Sequence, residues 1–252
     1  MEPQLNLNPF SHSKIALYGH CNSIMALVPI EKSFARSLLP NDLELADQSL
    51  TDSDHHVALL HFNHNFLNFA WFPPRVNLDY HEFVFMLPYV KRSGAHVSDP
   101  TLYSFLPVLY LNSLIAVWGG RWWWEFNKLP AHCDVTDELY TVTSPFLRAP
   151  LLQAVTEKVG PPMPSAGVPN FSAIAPILDM PFIENGLYGL VTANYRVRYQ
   201  GLPLQPMRVE ATSISCPYLP QMSHHVPPLS EAIFGAFQMD YKWDLNFVRF
   251  LR

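Results

Sequence analysis

The stretch G-G-R-W-W-W-E-F-N-K-L-P, Gly119 to Pro130, decides how the rest of the chain is read. Three consecutive tryptophans stand beside Arg121 and lead, through Glu125, Phe126 and Asn127, to a single lysine, Lys128. A surface lysine needs no such company. A lysine that acts as a nucleophile must lose its proton, and its free pKa of about 10.4 leaves little amine at neutral pH. Burial in an apolar pocket and a neighbouring cation both favour the amine. Trp122, Trp123, Trp124 and Phe126 are expected to supply the first and Arg121 the second. The same residues also read as a core strand and bulge, with Lys128 an ordinary loop lysine lying along aromatic rings.

Outward from this stretch, composition limits the alternatives. The chain has 252 residues, 15% charged and 49% apolar, with a net charge of −5. That balance gives no electrostatic case for nucleic acid. Arg196 and Arg198, interleaved with Tyr195 and Tyr199, read instead as a solvated strand face. Twenty-four prolines against ten glycines favour many short elements over long helices. Cys21, Cys133 and Cys216 are far apart and odd in number, which argues against a disulfide framework or a cysteine zinc site. The N-terminus lacks a basic then apolar leader, so a cytoplasmic location is expected. Residues 100–120 carry no charge and are long enough to span a bilayer. Pro107 and Asn112 interrupt them, so two buried strands are expected and no membrane segment.

Periodicity supports a β-rich chain. Residues 23–29 read as a strand, and 30–40 as a short helix with Ile30, Phe34 and Leu38 on one face. Residues 54–66 and 82–90 read as strands, the second buried on both faces. Residues 190–199 and 207–216 alternate with period 2 and are expected to form a hairpin through Q-G-L-P. Residues 145–160 are the best long-helix candidate, starting near Pro150 and ending at Gly160. No repeat or flexible linker divides the chain. The expectation is one domain over residues 1–252, with 1–14 an extended arm: mainly β, a closed or nearly closed antiparallel barrel with a few peripheral helices.

Eleven histidines raise the question of a metal. His61 and His64 are spaced H-x-x-H, but on a strand positions i and i+3 point to opposite faces. No carboxylate spacing supports them, and no metal site is expected. Nucleophile-elbow, phosphate-loop and dinucleotide motifs are absent.

The run Y-L-N-S-L-I-A-V-W-G-G-R-W-W-W-E-F-N-K-L-P, Tyr110 to Pro130, resembles the signature of the acetoacetate decarboxylase family. That signature has a tyrosine-led strand, a Gly-Arg pair, and a Schiff-base lysine at the spacing of Arg121 to Lys128. Y-H-E, Tyr80 to Glu82, is similar to the family's Tyr-x-Glu, whose glutamate lines the active site. S-F-A-R-S-L-L-P-N-D-L-E-L, Ser33 to Leu45, is similar to its helix, Leu-Pro and following strand. The resemblance implies a barrel-like fold with an apolar cavity, no metal, no organic cofactor and a homo-oligomer. It implies Lys128 as the imine-forming nucleophile and Glu82 as a proton-transfer or positioning group. Tyr80, Arg121, Trp122, Trp124, Glu125 and Phe126 would support them.

The departures are as specific. Leu129 stands where the family has its second lysine, the cation that activates the first. Asn127 replaces the preceding proline, and Trp122 replaces the acid after Gly-Arg. The arginine before the first strand has no counterpart in Y-G-H-C, Tyr18 to Cys21, where His20 is the candidate stand-in. These losses point towards a larger, more apolar keto substrate than acetoacetate. The expected function is a cofactor-independent lyase that decarboxylates a β-keto acid or polyketide-like ketone. The same imine would serve an aldol, retro-aldol, dehydration or cyclisation step. A barrel that binds an apolar ligand non-covalently, or cyclises it by shape, is the alternative from another class.

Overall fold

The computed structural model describes residues 14–70, 77–94, 100–136, 138–146 and 149–251. The expected N-terminal arm lies outside them, apart from Lys14. Long strands open the chain: β1 (Ile15–Glu31), β3 (His55–Phe69), β4 (Asn77–Arg92) and β5 (Tyr103–Leu111), with α1 (Lys32–Ser37) and β2 (Leu43–Leu45) between the first two. Helix α2 (Leu114–Trp123) leads to β6 (Lys128–Pro130). Then come β7 (His132–Val135), β8 (Leu139–Thr143), β9 (Pro150–Lys158) and β10 (Met163–Pro164). Helix α3 (Phe171–Asp179) precedes β11 (Phe182–Gly186), β12 (Gly189–Ala193) and β13 (Tyr195–Arg198). The chain ends with β14 (Pro203–Ser213), β15 (Met222–Val226), β16 (Ala236–Asn246) and β17 (Arg249–Phe250).

These strands form one sheet. Its spine is antiparallel, in the order β16, β1, β3, β4, β5. Two ladders on β5 are parallel, one to β6 and one to β11, so the expected all-antiparallel pattern is corrected there. The ladder does not close into the expected barrel. β12 runs through Asn194 into β13; the former pairs β11 and β17, the latter pairs β16.

Both faces of the spine are buried, and strand alternation sorts the residues between them. Leu17, Cys21, Met25, Tyr80, Val84 and Leu109 face one apolar cluster. Ala26, Val28, Phe83, Phe85, Val108 and Tyr110 face the other. A strand buried on both sides has no polar stripe, which is why β5 reads as a continuous apolar run.

Three expectations are corrected here. The second half of residues 100–120 is helical rather than a strand, capped by the Ser113 side chain accepting from Ala116 N–H. Residues 150–158 form β9 rather than a helix: Leu152, Ala154 and Thr156 are buried while Val155 and Glu157 are exposed, a period of 2. The segments at 190–199 and 207–216 are strands, but they do not make a hairpin with each other. β13 and β14 lie one after the other along β16. Among the described residues no helix is long and apolar enough to cross a membrane.

Candidate active site

The β5–α2–β6 crossover places Lys128. Parallel pairing sets Lys128 opposite Leu109, and Leu109 lies opposite Val84 on β4. Side chains in one register row share a face, and Glu82 is two residues from Val84, so Lys128 and Glu82 project to the same side. The row continues onto β3, where Asn63 pairs with Glu82 and Asn65 with Tyr80.

Two features of the crossover bring the lysine inward. Glu125 adopts a left-handed backbone, φ 54°, which turns the chain sharply after α2. The amides of Trp124 and Phe126 both donate to Gly120 O, tying the turn to the helix end. Gly120 then leaves a channel for the lysine stem: a Cβ there would fall 2.3 Å from Lys128 Cδ.

The Lys128 side chain is 12% exposed, and its Nζ lies 3.5 Å from Glu82 Oε2. Glu82 Oε1 accepts long hydrogen bonds from Asn65 Nδ2 at 3.4 Å and Asn63 Nδ2 at 3.5 Å. The Tyr80 ring centroid is 5.9 Å from Nζ. Around this pair is a cavity of about 50 Å³, bounded also by His61, Phe126 and Tyr195. A second, of about 40 Å³, continues it beneath α2 along Ile115, Gly119 and Trp124.

Burial sets the protonation of the surrounding groups. It lowers His61 to about 3, so the imidazole is neutral at physiological pH. The Tyr241 hydroxyl and His61 Nε2 share a hydrogen bond of 3.3 Å. Burial pushes the Tyr80 and Tyr195 phenols well above their usual range, so both remain hydroxyl donors.

The remaining sequence candidates separate. Helical periodicity puts Ala116, Val117, Gly120 and Trp124 on the buried face of α2 and its cap, and turns Trp122 outward. Trp122 is 79% exposed and Trp124 2%. Trp124 stacks on Phe247 and donates from Nε1 to Asn246 O at 3.1 Å. The aromatic shell at the lysine therefore comes from Trp124, Phe126 and Tyr80, not from three tryptophans together. Arg121 is exposed and borders a different cleft, as does Glu125, whose Oε2 accepts from Tyr188 N–H at 3.4 Å. His20 points away from the cavity, because Cys21 takes the inward face of β1, and it pairs with Asp240. His61 and His64 point to opposite faces, as strand geometry requires; His64 pairs with Asp79 at 2.7 Å. No group of three or more potential metal ligands occurs among the described residues.

One residue was not anticipated. Glu184 on β11 is wholly buried, and its Oε2 accepts from Asn127 N–H at 2.5 Å. Asn127 Nδ2 donates to Pro107 O at 2.6 Å, so the residue before Lys128 is held twice. The only local signal was an acid directly after the apolar run P-F-I in P-F-I-E-N-G.

The fold is that of acetoacetate decarboxylase and acetoacetate decarboxylase-like enzymes. Among solved structures, the enduracididine biosynthesis enzyme MppR, complexed with pyruvate, aligns with TM-score 0.64 and 14% identity, over 99% of this chain and 96% of that one. Acetoacetate decarboxylase from Legionella pneumophila subsp. pneumophila str. Philadelphia 1 aligns with TM-score 0.57 and 15% identity, over 94% and 88%. An acetoacetate decarboxylase-like enzyme from Sphingomonas wittichii RW1 aligns with TM-score 0.60 and 11% identity, over 98% and 97%. No family model and no curated protein matches the sequence.

Proposed function

We propose that this protein is a lyase that works through a Schiff base on Lys128, acting on a small ketone or keto acid. The observation that carries the reading is the buried Lys128–Glu82 pair, 3.5 Å apart in a largely apolar cavity. That separation is long for a hydrogen bond and suits transfer directly after tightening, or through one water.

In the proposed cycle, Lys128 passes a proton to Glu82 and the free amine attacks the substrate carbonyl. The carbinolamine loses water, with Glu82 returning the proton to the departing hydroxyl, and leaves a protonated imine. In a β-keto acid the bond to the carboxylate then breaks. Its electrons enter the iminium, giving CO₂ and an enamine. Protonation at carbon and hydrolysis release the ketone and restore the amine. The imine is the electron sink, so the cycle calls for no further cofactor. Ionised Glu82 beside the substrate carboxylate would raise the ground state and favour loss of CO₂.

The cavity size argues for a short substrate, in place of the larger ketone that the sequence departures suggested. A second reading is favoured by the lining itself. Lys128 is the only lysine or arginine bordering this cavity among the described residues, so no arginine there receives a carboxylate. A neutral ketone undergoing aldol-type condensation or dehydration through the same imine meets that lining. A related solved structure, MppR, is complexed with the condensation product of pyruvate and imidazole 4-carboxaldehyde.

Both readings pass through an enamine, and an enamine exchanges α-hydrogens with solvent. Proton NMR of acetone or butanone in D₂O with catalytic protein therefore tests them together. Exchange is expected with wild type and lost in Lys128→Met. Equal exchange by both proteins would remove the lysine from the mechanism.

A further inference from the structure

Arg121 and Glu125, expected beside Lys128, instead border a separate cleft of about 480 Å³. The geometry points to this cleft as a second ligand site, for a small monocarboxylate with a short apolar tail. Its volume lies in the range of small-molecule sites. Neither Lys128 nor Glu82 lines it.

Two polar groups of the lining carry the assignment, beside Asn127, Asn185 and Tyr218. At its floor is Glu184, fully buried, with Oε2 occupied by Asn127 N–H and Oε1 without a partner. Burial keeps this carboxyl protonated well above its ordinary range. Oε2 acts as the acceptor, and Oε1 is the buried oxygen left without a partner. A buried polar atom without a partner is unfavourable, and a polar atom of an incoming carboxyl group would relieve it. At the exposed rim is the Arg121 guanidinium, whose planar fork suits a carboxylate. Leu38, Leu39, Pro40, Phe105 and Leu106 give the lining an apolar part. They fit an alkyl tail better than a second charge. Glu125, also on the rim, opposes an anion, although its Oε2 is occupied by Tyr188 N–H.

The ligand would sit behind the Lys128 segment, against the same Glu184 that holds Asn127. Ligand-observed NMR titration of the whole protein with butanoate and hexanoate at neutral pH tests the site, and needs no knowledge of the catalysed reaction. Saturable binding is expected, tighter for hexanoate and retained in Lys128→Met. Arg121→Gln, an exposed substitution, should weaken it about tenfold. Glu125→Gln should tighten it. Absence of binding at millimolar concentration, loss of binding in Lys128→Met, or indifference to Arg121→Gln would overturn the assignment. The Lys128→Met arm separates this site from the lysine cavity, so its failure is distinct from failure of the Schiff-base reading.

Discussion

Gly120 lies directly against the Lys128 side chain: a Cβ at position 120 would stand 2.3 Å from Lys128 Cδ and 2.6 Å from Cε. A helix-interior glycine normally costs stability relative to alanine. Here the missing side chain makes the path along which the lysine enters the cavity.

Gly120→Ala therefore sets two effects against each other. Helix propensity favours alanine by about 1 kcal/mol, and overpacking opposes it by about 1–3 kcal/mol. The expected outcome is a protein destabilised by up to ~2 kcal/mol in urea, with Lys128 displaced and imine formation reduced by more than the stability change explains. Wild-type stability and reactivity in the variant would show that the close approach is unimportant.

The tryptophans should behave unequally. Trp124→Ala removes a buried ring, its stack on Phe247 and its hydrogen bond to Asn246 O. A loss of about 3–5 kcal/mol is expected. Trp122→Ala changes an exposed side chain and should fall within about 0.5 kcal/mol of wild type. Equal losses, measured by chemical denaturation, would contradict the helical placement of the triplet.

How far the sequence revealed this site follows from the range of the forces involved. Lys128, Glu82 and Tyr80 sit in recognisable local patterns, and strand alternation brings them to one face. Period 2 likewise marked β12, β13 and β14, and a run apolar on both faces marked β4. The stretch from Asn112 to Trp123 misled because an aromatic triplet resembles a strand; only helical rotation separates Trp122 from Trp124. Pro150 and Gly160 gave residues 150–158 the punctuation of a helix, yet pairing with β14 and β8 holds them extended. Glu184 was missed because its contact to Asn127 spans 57 residues and depends on a parallel ladder that no local pattern announces.

His61 makes stability depend on acid pH with a defined sign. Its folded value is near 3, below its ordinary 6.5. Between those values the unfolded chain binds a proton that the folded chain does not. The stability is therefore complete above about 6.5 and is lost as pH falls towards 3, by up to about 1.4 kcal/mol per pH unit. Urea denaturation between pH 7.5 and 4.5 should show this slope, and His61→Gln should flatten it. An unchanged slope in the variant would assign the acid sensitivity elsewhere.

Glu184 has the opposite dependence. Burial raises it above the ordinary carboxylate range, so the folded state holds a proton that the unfolded chain releases above about 4.5. Its contribution is complete below that pH and declines as pH rises. Glu184→Gln keeps an acceptor for Asn127 N–H and removes the titration. The variant should gain stability relative to wild type from pH 5 to pH 8; a constant difference would mean that Glu184 ionises normally in the folded protein.

The central claim is that Lys128 forms an imine. Incubation with acetone, butanone and acetoacetate, followed by borohydride reduction and intact mass, measures it directly. Wild type is expected to gain the mass of one reduced adduct, mapped by peptide digestion to Lys128, with no gain in Lys128→Met and less in Glu82→Gln. An adduct spread over surface lysines, or none on a folded protein with any of the three, would contradict the Schiff-base account and leave non-covalent binding of an apolar ligand.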